Sequence, residues 1–200
     1  MTAPTSQFCT LSYLAVHEAG HACTCALLGG TVAAMTILSG HRGAETDVES
    51  LPGLRVTLLV ALAGHQAERL FVPHLADVRH SVVDYQKAFR TALDLVRDEE
   101  YGQAASRDAA PAVPRPLSPF TPADLKAEFR RLYARREPRA REIVDTAEAE
   151  VRGLLDANRV LVRVVAVGLE KYGQHLDAAA VAALVAEGLE RQAADRRRFP

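Results

Sequence analysis

His17, Glu18 and His21 form an H-E-x-x-H pentapeptide within 11–28, a proline-free stretch rich in Leu and Ala. Leu14, Ala15, Ala19, Ala22 and Ala26 predict a helix, and Gly29-Gly30 predicts its C-terminal stop. Residues four apart on a helix project from the same face, so both imidazoles can close on one ion. Glu18 lies beside that face, able to reach a water at the ion without being a ligand itself. A helix carrying two ligands needs a third from elsewhere in the chain, and this requirement constrains the whole fold.

Two later segments offer that ligand. Residues 54–71 begin almost wholly apolar (LRVTLLVALAG) and turn polar at His65, Gln66, Glu68 and Arg69. They predict a buried central helix, stopped by Pro73, whose second half approaches something polar. Residues 81–97 predict another helix, with Tyr85, Ala88, Phe89, Ala92, Leu93 and Val96 on its inner stripe and Asp84 in its first turn. By spacing alone, Ser81-x-x-Asp84 also reads as a capping box, in which the carboxylate only satisfies a free N–H. Glu68 competes as the ligand, because H-E-x-x-H zinc sites often take a downstream glutamate, or else orients a histidine from behind. His65, His74 and His80 lie near these elements and read as structural or surface histidines.

Residues 31–38 (TVAAMTIL), β-branched at four positions, predict a short strand, and the polar residues 41–50 a loop. Prolines 111, 114, 116, 119 and 122 mark a loop over 103–120, after which Thr121 is placed to cap a helix starting at Pro122. Helices are expected over 122–136, 138–172 with a break near 156–158, and 177–191. The expected organisation is a metal-binding core over 1–102, the proline-rich loop, and a helical part of the same domain over 121–197.

With 200 residues, 48% of them hydrophobic, the chain can build one sizeable core. A net charge of -1 gives no electrostatic reason to expect nucleic acid or an anionic membrane as partner. The arginine-rich runs at 130–141 and 196–198 read as a solvated helix face and a polar tail. Cys9, Cys23 and Cys25 form neither an even disulfide framework nor a paired C-x-x-C ribbon, and are expected to be reduced packing residues. The first ten residues lack the pattern of a signal peptide, and the apolar run at 58–63 is too short to cross a bilayer. The expectation is a soluble, cytoplasmic protein without membrane insertion.

Taken together, these segments resemble the peptidase domain of the FtsH-type AAA proteases. AVHEAGHA at 15–22 is similar to that family's active-site helix, and LLVALAGHQAERLF at 58–71 to its second helix, with Ala63, Gly64, Ala67 and Glu68 on its pattern. SVVDYQKAFRTALDLV at 81–96 resembles the helix that carries the third ligand, and Asp84 falls on that aspartate. Leu155, Asn158, Arg159 and Leu161 fall on a segment of the family's C-terminal helices. The resemblance implies a mainly α, zincin-like metallopeptidase domain with a small β element and a C-terminal helical bundle. It implies zinc held by His17, His21 and Asp84, Glu68 behind a histidine, and Glu18 as the base. The chain departs from the family in having no G-x-x-x-x-G-K-[S/T] loop and no membrane-spanning stretch, and Arg79 to Val83 replace a run of small residues.

The expected activity is ATP-independent hydrolysis of peptide or unfolded protein, with an ATPase acting in trans or a homo-oligomer as further partners. The 31–38 strand could hold an extended substrate by edge pairing, or be an ordinary strand of a small sheet. Two other functions are consistent with the residues: a non-catalytic or regulatory binding module that kept the fold, and a metal-dependent amidase acting on small molecules. Glu18 favours catalysis, because a structural zinc site needs no base beside its ligands.

Overall fold

The computed structural model describes residues 11–37, 43–77, 81–106, 122–172 and 175–198, with the backbone alone described at 103–106 and 122–129. Cys9, His80, Thr121 and the proline-rich stretch from 107 onward, with its loop expectation, lie outside the described residues. In chain order the elements are α1 (Tyr13–Leu27), β1 (Thr31–Ile37), β2 (Ala44–Ser50), α2 (Leu54–Phe71), α3 (Val82–Ser106), α4 (Pro122–Ala157), α5 (Arg159–Lys171), β3 (His175–Asp177) and α6 (Ala178–Arg198). The protein is mainly helical with a small three-stranded sheet.

α1 starts where Ser12 accepts a hydrogen bond from the Ala15 N–H, and it ends as the Gly-Gly pair predicts. Gly29 adopts φ +80°, its N–H donates to the Ala26 carbonyl, and the Gly30 N–H donates to the Cys25 carbonyl, which together make a Schellman motif. Every residue from Leu14 to Cys25 is buried, because α2 and α5 pack against the helix and the sheet covers it on another side. The approach to α2 is close. A Cβ on Gly20 would lie 2.6 Å from the Ala63 carbonyl oxygen and 2.8 Å from the Ala67 Cβ. Small residues on both helices thus set the spacing at which His17 and His21 face α2.

The strand order is β2-β1-β3, with β1 antiparallel to both neighbours. This corrects one expectation and decides between two others. Residues 44–50 are a strand rather than part of a loop, and β1 is the central strand, so it has no free edge to offer along Ala34–Thr36. In β2, exposed Glu45, Asp47 and Glu49 alternate with half-buried Ala44, Thr46 and Val48, a period-two pattern on a polar outer strand.

The helical boundaries also shift. α3 runs to Ser106, past the expected end at 97 and into the stretch read as loop, because Glu99 and Glu100 pair with Arg135, Arg136 and Arg139 of α4. Those same pairs hold α4 to α3 on both sides of exposed Pro138, and the helix continues through the proline where a break was expected. Ala140, Ile143, Ala147, Val151 and Leu155 form its buried stripe. The break near 156–158 is present at Asn158, whose amide donates to the Leu154 carbonyl and accepts from Gln192 of α6. α6 then extends beyond 191, with Gln192 buried at that contact. Cys23 and Cys25 are buried, and burial raises both thiol pKa values, that of Cys25 to about 11, so they pack as unreactive thiols. Among the described residues no helix is long and apolar enough to cross a membrane.

The α1–α2 contact gives a direct test. Gly20→Ala should destabilise the fold by about 1–3 kcal/mol in chemical denaturation despite alanine's better helix propensity, since the new methyl meets backbone rather than a movable side chain. Unchanged stability would show that the two helices can separate freely.

Candidate metal centre

α1 presents His17 and His21 one turn apart, both buried, and each ring is fixed from behind. Glu68 Oε1 of α2 lies 2.7 Å from His17 Nδ1, and the Val60 carbonyl oxygen lies 2.6 Å from His21 Nδ1. A carbonyl can only accept, and so can an ionised carboxylate, so both Nδ1 atoms donate. The two Nε2 atoms then converge, 3.0 Å apart. Asp84 Oδ2, from the first turn of α3, lies 3.1 Å from His17 Nε2 and 3.6 Å from His21 Nε2. His17, His21 and Asp84 form a group of potential ligand atoms that could hold one metal ion.

The spacing suits zinc. Ligands at about 2.0–2.1 Å in a tetrahedron stand about 3.3 Å from one another, in the middle of the separations observed here. Two nitrogens and one carboxylate oxygen leave a fourth position for a non-protein ligand. Gly64 provides the necessary space. A Cβ there would lie 2.5 Å from both His17 Nε2 and His21 Nε2, in the volume an ion would occupy.

The third-ligand alternatives take different positions. Asp84 faces the two Nε2 atoms, whereas Glu68, fully buried, faces Nδ1 of His17 on the opposite side of the ring. The capping box is not formed through Ser81, whose buried hydroxyl has no hydrogen-bond partner among the described residues. His65 is buried edge-on against Tyr85, with Nδ1 3.8 Å from Glu68 Oε2, and His74 is exposed; neither joins the group. Tyr85, next to Asp84, donates a hydrogen bond to Glu148, and Arg152 donates to Gln66, so α4 grips both helices that supply the site.

Glu18 is buried at the edge of a cleft of about 450 Å³ that His17, His21, Asp84 and residues of β2 also line. The Thr46 hydroxyl of β2 lies 2.7 Å from Glu18 Oε2 and donates to it. Thr46 was not legible as a site residue, although the alternation of AETDVES would have placed it on an inward position of a strand. The Val60 carbonyl has no sequence signature at all.

Electrostatically the cluster calls for a cation. Burial opposes a charge on His17, but Asp84 and Glu68 beside its two nitrogens outweigh burial and raise its pKa from 6.5 to about 10. Burial likewise opposes charge on both carboxylates. Even so, the hydrogen bond from His17 and the nearby His21 imidazole hold Asp84 well below the usual range, and His17 and His65 lower Glu68. Proton and metal thus compete for the same Nε2 lone pair. No protein-family model matches this chain, and no curated protein matches it significantly.

Two outcomes follow. Gly64→Ala should keep the helical circular-dichroism spectrum yet weaken zinc binding by more than the roughly 10-fold to 100-fold typical of losing an outer hydrogen bond; unchanged affinity in a chelator competition would place the ion elsewhere. In chelator-treated protein, the raised His17 pKa contributes stability that is complete below pH 6.5 and lost as pH rises through about 10. Zinc uptake near neutral pH should therefore release a proton, read by calorimetry in buffers of different ionisation enthalpy, and the absence of release would contradict a protonated His17.

Proposed function

We propose that this chain is a zinc metallopeptidase of the kind its sequence resembles, a zincin-like FtsH-type peptidase domain that hydrolyses peptide bonds without nucleotide. The observation that carries this reading is the coincidence at one cleft of a three-ligand cluster with Glu18, a buried carboxylate that none of the ligands uses. His17, His21 and Asp84 would hold the ion. The chemistry such an ion supplies when bound is Lewis acidity, which acidifies a water and polarises a carbonyl.

The chain's own residues do the rest. Glu68 and the Val60 carbonyl fix the ring orientation and tautomer of the two histidines, and the carboxylate increases the basicity of His17. Thr46 holds one oxygen of Glu18 and thereby aims the carboxylate into the cleft. Glu18 accepts a proton from the attacking water and returns it to the leaving amine. With β1 enclosed, the edge available to an extended substrate is that of β2, the outer strand whose residues 44–46 line the cleft. A structural zinc site would close all four positions with protein and would have no use for a base held by Thr46.

The purified protein should carry close to one zinc per chain, and Glu18→Gln should retain that zinc and the fold while losing at least about 100-fold in the rate of casein or peptide-library digestion. Turnover equal to wild type would remove Glu18 from catalysis. Protein that takes up no transition metal on titration would remove the reading altogether.

A further inference from the structure

We propose that the cleft is built for polypeptide segments with cationic side chains at alternate positions, laid along the outer edge of β2, which pairs with no further strand among the described residues. This inference rests on the peptidase reading and adds the class of substrate.

A strand paired to β2 continues the sheet, so its side chains alternate between the two faces that β2 itself presents. On one face stand half-buried Ala44, Thr46 and Val48, with exposed Val83 across the cleft, which favours small or apolar side chains. On the other stand Glu45 and Asp47, two carboxylates at the two-residue spacing of a paired strand, followed by Glu49 at an irregularity in the β1–β2 register. Elsewhere in the molecule Glu100, Glu150, Asp156 and Glu187 are paired with arginine. Among the described residues Glu45 and Asp47 have no such partner, and Glu49 receives only a hydroxyl from Thr31. The cleft adds to this field. The four carboxylates that line it, Glu18, Glu45, Glu68 and Asp84, outnumber the charges of Lys87 on the facing wall and a divalent ion together. An approaching cationic segment is therefore drawn to this edge, and an acidic one repelled.

Acidic side chains on an outer strand have a second use, since they deter edge-to-edge association. The experiment separates the two. Three fluorescent ten-residue peptides carry Val and Ala at alternate positions and Lys, Gln or Glu at the others, and their binding to zinc-loaded Glu18→Gln protein is followed by anisotropy. The expected order is Lys over Gln over Glu, with a Lys-to-Glu ratio of about tenfold at low salt that shrinks toward unity at roughly 0.5 M salt. The Glu45→Lys/Asp47→Lys variant should reverse the order, and Glu45→Gln/Asp47→Asn should flatten it. Equal binding of the three peptides, no binding of any, or a neutral variant that only self-associates while keeping the wild-type order would overturn the proposal. Binding in the expected order without cleavage by the wild type would sink the peptidase reading alone, whereas cleavage with no charge order would sink this inference alone.

Discussion

The nearness of α1 and α2 governs the rest of the structure. Gly20 lets the α1 backbone rest on Ala63 and Ala67, and Gly64 of α2 faces back toward His17 and His21. The two glycines act on opposite sides of the same contact, one bringing the helices together and the other keeping a pocket within it. Were the helices a methyl group farther apart, Glu68 and the Val60 carbonyl could not reach the Nδ1 atoms they hold at 2.7 and 2.6 Å. The ring orientations, the convergence of the Nε2 atoms and the room for an ion are therefore one packing solution rather than three separate features.

Charge then explains why the solution is stable only as a set. Two imidazoles whose Nδ1 atoms both donate would set lone pair against lone pair at 3.0 Å unless a proton or a metal lies between them. Asp84 and buried Glu68 add negative charge that likewise requires a positive centre. Tyr85 and Gln66 tie this group to Glu148 and Arg152, so the long α4 serves as a rear wall for α2 and α3 together.

Much of the site was legible because its signals are local. His17, Glu18 and His21 declare themselves by spacing, Gly29-Gly30 by the left-handed conformation it permits, and the course of α2 by an apolar run that ends at Pro73. Spacing alone left Asp84 and Glu68 as rivals, because the choice depends on which side of the His17 ring each one meets, and only the family resemblance ordered them, with Asp84 toward the metal and Glu68 behind a histidine. What escaped was tertiary. β3 has three residues and exists only through β1, β2 hides behind its charges, and Pro138 is carried by ion pairs to a helix some 35 residues away in sequence. Thr46 and the Val60 carbonyl became visible only once the sheet and α2 were placed beside α1.

α1 precedes every described element that surrounds it. Its start is tied to α5 by a hydrogen bond from the Ser12 N–H to Glu170, across 158 residues, and β1 is flanked on one side by β3, which comes still later. During synthesis the histidine-bearing helix would leave the ribosome long before its coverings, and contacts of such long sequence range form late. A His17, His21 and Asp84 cluster gathered in this order stays incomplete while the nascent chain is unfolded. With His17 and His21 on α1 and their enclosure on later elements, the geometry of the cluster is complete only once the rest of the fold is in place.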